Sequence, residues 1–391
     1  MARGQLMRSM IGRFGAVVVL AAGCSSGKAP ASPAADLTVK LQALLDSSYA
    51  AAPKVPGIIL RVEAPAIGLV FSGAVGKADT KTGEALTPEH TVRMASNTKT
   101  YISAAVLRLV EDGKVGLDSS IGRYLLPASV KRLKAGGYDP AKITVRMVLH
   151  HTSGLFDYAM SDPYMRAVGA DFSHRWTRVE QLGLAVDSGK PYGAPDEVYH
   201  YSDTGYILLG ELLEQVTGTS MPKAVSDLVG FDAHGIKYTY FETLDSVPPG
   251  TPPRAHQYLD STDTYRLDAS HDLYGGGGLV SNAENMARFY RALVRGEIFH
   301  NKATLDEMLT VTAQSEKEHG AYGMGIGRGE VDGVSCYGHG GFWGTYARHC
   351  PAVDLTVVVA DNGTSDGARK TLRSVLDATL KLAIAAISAK R

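Results

Sequence analysis

Apolar residues recur at helical spacing in the stretch that follows Met94. Ile102, Ala105, Val106, Leu109 and Val110 obey the i, i+3, i+4, i+7 rule. One face of a helix is therefore expected to be buried there, with Gly113 as its stop. The same reading predicts an amphipathic helix over residues 37–51, further helices over 143–151 and 204–216, and a closing helix over 365–387. A four-glycine turn at 275–278 precedes another helix, for which Ser281 and Glu284 read as a capping box. Runs rich in Val, Ile and Leu predict strands at 57–63, 68–74, 322–329, 334–338, 345–350 and 355–360, with Asp332-Gly333 as a hairpin turn. Strands thus gather at both chain ends and helices in the middle. The expected fold is α+β: an antiparallel sheet formed from both ends and flanked by helices, with an inserted all-α lobe. The boundaries are an α/β lobe at 37–95 and 280–391 and a helical lobe at 96–279.

Composition changes this picture little. The chain has 391 residues, 45% hydrophobic and 20% charged, which suits a large core. Lys plus Arg is 40 and Asp plus Glu is 40, so the net charge is zero. That balance, without any basic run, argues against a nucleic-acid partner. The N-terminus reads as a targeting segment. Arg3, Arg8 and Arg13 precede a short apolar run at 14–22, too short to span a bilayer. The run ends in LAAGC, similar to a bacterial lipobox, so residues 1–24 are expected to be a lipoprotein signal with Cys24 as the lipidated residue. Residues 25–36 read as a linker. These expectations imply an exported, lipid-anchored protein of the periplasm or cell envelope. Cys336 and Cys350 remain. An exported compartment permits a disulfide, and two free buried thiols are an equal alternative.

Three short segments carry chemistry. The first is SNTK at 96–99, an S-x-x-K at the start of the central helix. Three residues along a helix turn about 300°, so Ser96 and Lys99 share a face. A serine hydroxyl becomes a useful nucleophile when a neighbouring base takes its proton, and an uncharged amine one turn away can do so. The second is YSD at 201–203. The third is HGG at 339–341, followed by FWG. His150 and His151 are adjacent, about 100° apart on a helix, and no H-E-x-x-H is present, so they read as bracing a turn and no metal is implied. The one G-x-S-x-G, at 23–27, lies in the lipobox and opens no helix after a strand.

In order and flanking sequence these segments resemble the serine β-lactamase and DD-peptidase superfamily, on the branch of D-Ala-D-Ala carboxypeptidases, class C β-lactamases and related esterases. That branch carries S-x-x-K, Y-x-N and K/H-x-G in this order. VRMVLHHTSGL, YSDTGY, GGGLVS and YGMGIG add to the similarity, which spans residues 37–365. The resemblance implies a β-lactamase/transpeptidase-like fold and, without any cofactor, an acyl-enzyme at Ser96. Lys99 and Tyr201 would share the base and acid work, with Lys99 and His339 as cations beside the phenol. The backbone N–H groups of Ser96 and Phe342 would hold the oxyanion. Gly340 and Gly341 would let substrate lie along the strand edge, and Trp343 would line the cleft. Two positions depart from the pattern. Asp203 replaces the usual asparagine, and an ionised carboxylate accepts hydrogen bonds but cannot donate them. Gly340 stands where a threonine often helps to bind a carboxylate. The expected activity is D-alanyl-D-alanine carboxypeptidase-like, with a carboxylesterase or β-lactamase as alternatives. A non-turnover penicillin- or peptidoglycan-sensing protein is the alternative of another class. The expected partners are a peptidoglycan stem peptide, a β-lactam or an ester, plus a membrane through the lipid, in a monomer.

Overall fold

The computed structural model describes residues 32–318 and 321–390. Cys24, the signal segment and most of the linker lie outside the described residues. The helices are α1 (Pro33–Ala50), α2 (Thr98–Glu111), α3 (Pro127–Ala135), α4 (Val145–Leu149), α5 (Asp162–Ala170), α6 (Arg178–Ser188), α7 (Asp203–Thr217), α8 (Met221–Val229), α9 (Ala283–Val294), α10 (Lys302–Leu309), α11 (Ala313–Glu318) and α12 (Asp366–Ser388). The strands are β1 (Gly57–Ala64), β2 (Leu69–Gly76), β3 (Val92–Arg93), β4 (Tyr240–Phe241), β5 (Tyr258–Leu259), β6 (Thr262–Asp263), β7 (Leu279–Ser281), β8 (Gly327–Val331), β9 (Val334–Gly341), β10 (Thr345–Cys350) and β11 (Leu355–Asp361).

The main sheet runs β2-β1-β11-β10-β9-β8, with every pairing antiparallel. Both chain ends therefore build it, as the strand pattern predicts. Successive strand side chains point to opposite faces. Ile58, Leu60, Val62, Val357 and Val359 pack with Leu37, Leu41 and Leu45 of α1 and Leu372 and Leu376 of α12. Ile59, Val358 and Ala360 join the second and larger core, which holds α2, α7 and α9.

Several local expectations are corrected. Helix α1 begins inside the expected linker, because Ser32 caps it by accepting from the Ala35 N–H and a proline suits its first turn. Helix α2 is not one-faced: every residue from Thr98 to Leu109 is buried, so it is a central helix enclosed on all sides. The cap of α9 is Asn282, accepting from the Asn285 N–H; Ser281 ends β7 and pairs with Val92. Strand β8 starts only at Gly327. Gly325, at φ 70°, turns the preceding chain onto α2, where a Cβ would come 2.1 Å from Ser103 Oγ. Cys336 and Cys350, on adjacent strands, form a disulfide.

A small sheet, β3-β7-β4, completes the frame. It pairs the strand leading into Ser96 with the strand leaving the four-glycine turn, so these distant segments become neighbours.

Candidate active site

Ser96 sits in a tight turn between β3 and α2. Ala95, just before it, has φ 46°, in the left-handed region that side-chain-bearing residues seldom adopt. The turn is braced from the sheet side. Asn97 Nδ2 donates to Thr345 Oγ1 at 2.9 Å, the Thr345 hydroxyl donates to the Met94 carbonyl at 3.1 Å, and the Tyr290 hydroxyl donates to Asn97 Oδ1 at 2.7 Å. Ser96 itself remains partly exposed and opens a helix, where the first N–H groups lack a helical acceptor.

Lys99 is fully buried one turn later. Its Nζ donates to Ser96 Oγ at 3.0 Å and to the Gly276 carbonyl at 2.6 Å, and lies 2.5 Å from Asp203 Oδ1. It also sits 4.9 Å from the centre of the Tyr201 ring. S-x-x-K and Y-S-D therefore meet, about one hundred positions apart in sequence. Burial, and then the charge of Asp203, push the Tyr201 phenol well above its ordinary pKa, while the nearby Ser96 hydroxyl pulls the other way. The phenol is protonated at rest.

His339 joins the group in a different role from the expected one. Its Nδ1 lies 2.6 Å from the Gly340 carbonyl, which only accepts, so Nδ1 carries the proton. Its Nε2 then accepts from the Tyr322 hydroxyl at 2.8 Å. Burial, and then Lys99, lower its pKa to about 3. His339 is a neutral ring and not a cation, leaving Lys99 as the cation candidate beside the phenol.

The end of β9 is an open strand edge. β10 pairs with it through Gly341, whereas β8 pairs only as far as Gly338. Phe342 follows, exposed, with the Arg369 guanidinium 4.8 Å from its ring centre. The two glycines are explained by the protein itself as well as by any substrate. A Cβ on Gly340 would come 2.4 Å from the Tyr346 ring, and one on Gly341 would come 2.1 Å from the Met94 carbonyl. Gly341 lets the strand tip abut the Ser96 turn. Trp343 does not line an open cleft: it is 3% exposed, packs with Ala95 and Leu267, and borders a cavity of about 10 Å³ behind the turn.

Four participants escaped the motif reading. The Gly276 carbonyl holds Lys99, from within GGGLVS. Tyr322 holds His339, from within YGMGIG. Asp157 and Asp272 flank Asp203. Burial, and then the charge of Asp203, raise the pKa of both carboxyls, against the pull of Lys99. Gly277 makes room for Asp272, since a Cβ there would come 2.2 Å from its carboxyl carbon.

A family model described as Beta-lactamase matches residues 63–380. Penicillin-binding protein 4* of Bacillus subtilis (strain 168) is 25% identical over 297 residues, covering 71% of this chain and 61% of that protein. The match thus spans less than two thirds of the Bacillus protein's length. A putative D-alanyl-D-alanine carboxypeptidase of Salmonella paratyphi A is 24% identical over 309 residues, covering 69% of this chain and 68% of that one. Among solved structures, a D-stereospecific amidohydrolase from Streptomyces sp. superposes with a TM-score of 0.71 at 26% identity, covering 86% of this chain and 97% of that chain. With the three motifs gathered at one turn and the family match running over most of its length, this chain belongs to the beta-lactamase family, in the β-lactamase-like superfamily of serine hydrolases.

Proposed function

We propose that this chain is a serine hydrolase that forms an acyl-enzyme at Ser96 and cleaves peptide or amide bonds in the manner of a D-alanyl-D-alanine carboxypeptidase. The observation that carries this reading is the contact of Ser96 Oγ with Lys99 Nζ at 3.0 Å, with the Tyr201 phenol beside them. Ser96 attacks the carbonyl carbon and its proton passes to the Lys99 amine, a transfer open only to the uncharged amine. The carbonyl oxygen gains charge between the N–H groups of Ser96 and Phe342. Tyr201, protonated at rest, delivers a proton to the departing nitrogen. Water then attacks the ester and the same groups run in reverse.

Asp203 favours a second reading within the same chemistry: hydrolysis of small amides that carry a free amine. Three acidic side chains, Asp157, Asp203 and Asp272, gather around the buried Lys99. A substrate ammonium group would find carboxyl acceptors here, and the amidohydrolase among the similar structures accords with this.

A substrate panel tests both. Wild-type protein and Ser96→Ala are assayed on a D-Ala-D-Ala peptide, a D-amino acid amide, a short-chain aryl ester and a fluorescent penicillin. Turnover of the peptide, lost in Ser96→Ala, supports the first reading, and turnover of the amide alone supports the second. Ester turnover with neither peptide nor amide cleaved would replace both by an esterase. Stable penicillin labelling without release would make the chain a binding protein. We also propose export and anchoring through Cys24. Loss of detergent-phase partitioning in Cys24→Ala is the expected result, and unchanged partitioning contradicts it.

A further inference from the structure

Tyr201 reaches the site on chain without regular structure. Residues 189–202 form neither helix nor strand, and α7 begins only at Asp203. A side chain on such a segment keeps one orientation only if something outside it supplies the support. His151 makes three contacts that do so. Its carbonyl accepts from the His200 N–H at 2.9 Å. Its Nδ1 accepts from the Ser202 N–H at 3.1 Å. Its ring lies against the Tyr201 ring, with centres 4.3 Å apart and planes 30° apart. The backbone on both sides of Tyr201 and the ring between them are thus held by one residue.

His151 is built in at a cost. It is 1% exposed and holds φ 60°, in the left-handed region. With Nδ1 accepting, the neutral ring carries its proton on Nε2, and that buried atom has no hydrogen-bond partner among the described residues. Burial, and then the charge of Lys99, hold the ring in its neutral form.

We propose that His151 is a positioning residue for Tyr201, aiming the phenol at Ser96 through both flanking peptides and the ring face. It exchanges no proton with substrate. The proposal rests on the acyl-enzyme reading above for its kinetic readout, and has a structural readout that does not.

Three variants of the full chain separate its parts. His151→Gly accepts the backbone conformation and removes both acceptor and ring. His151→Asn also tolerates that conformation and restores an acceptor near Nδ1. His151→Phe keeps a ring without the acceptor. A misplacement of about 1 Å costs on the order of 10²-fold in rate. His151→Gly is therefore expected to lower kcat by about 10²-fold, with KM within about twofold, and His151→Asn to recover about tenfold of that loss. In a Tyr201→Phe background, adding His151→Gly is expected to cost less than about twofold more, because the groups act as a unit. A full, additive loss in that background overturns the proposal, as does an unchanged kcat in His151→Gly. Turnover that survives Ser96→Ala would defeat the acyl-enzyme reading instead. Crystal structures then decide positioning on their own. The phenol should be displaced in His151→Gly, or in His151→Phe if the glycine variant does not fold, and in place in His151→Asn. An unmoved phenol in the first pair overturns the proposal.

Discussion

At the scale of single residues, the site is a set of protonation states imposed by burial. Tyr201 and His339 both resist charge, one held as a phenol and the other as a neutral ring. Ser96 places its hydroxyl in contact with the buried lysine amine. Ser96→Ala is expected to lower kcat by roughly 10⁴-fold or more while the circular dichroism spectrum stays native, as for other covalent nucleophiles. A small effect would remove Ser96 from the chemistry. Tyr201→Phe should be less severe, since proton transfer contributes about 10²–10⁴-fold. Asp203→Asn tests charge rather than shape. If the carboxylate serves a substrate amine, kcat/KM for an amine-bearing amide should fall at least about tenfold relative to its acylated counterpart, about the worth of one hydrogen bond to a charged group. An unchanged ratio would remove Asp203 from amine recognition.

At the scale of elements, what matters is how closely backbones approach. The tip of β9 meets the Ser96 turn because Gly341 has no Cβ to strike the Met94 carbonyl. Gly341→Ala must push the two apart. Inserting one carbon into a tight contact costs about 1–3 kcal/mol, and displacing the N–H groups proposed to hold the oxyanion should lower kcat by about 10²-fold. Calorimetry with steady-state kinetics checks both. Native activity would mean that the strand tip does not set the geometry around Ser96. Helix α2 shows where a pattern misleads. Its aliphatic stripe was legible, yet Thr100 and Ser103 on the other faces are also buried, because Gly325 and Tyr206 supply hydrogen-bond partners from elements distant in sequence. The same limit applied at α9: Ser281 looked like a cap until β3 claimed it as a strand partner.

At the scale of the whole molecule, two features govern stability. The Cys336–Cys350 bridge closes a loop with a sequence separation of 14. A loop of that length is worth about 3 kcal/mol in the chain-entropy view. The double serine variant should therefore melt at a lower temperature, and an unchanged Tm would show that strand pairing alone fixes the hairpin. The second feature is acid sensitivity. His150, His271 and His349 are held down to about 4 and His339 to about 3, with His151 also depressed, in each case chiefly by burial. The unfolded chain takes up these protons near pH 6.5 and the folded one does not, so their contribution to stability is lost as pH falls below about 6.5. Asp157, Asp245, Asp272 and Asp361 oppose this, because burial makes their carboxyls keep protons that the unfolded chain releases. Five histidines against four aspartates make net destabilisation the expected sign between about pH 6.5 and 4. Calorimetric Tm rising on acidification over that range would contradict the balance.

By itself, the order of residues determined the sheet built from both ends, the helices, and the three segments that meet at Ser96. Hydrophobic period and short motifs are local, and they survive without knowledge of neighbours. Only the tertiary structure decided the charge states and the partners. The neutral ring of His339, the carbonyl of Gly276 on Lys99 and the carboxyls of Asp157 and Asp272 all follow from burial and from interactions between distant segments, 177 positions apart for Lys99 and Gly276. Desolvation depends on everything that surrounds a group, and no stretch of chain carries that information alone.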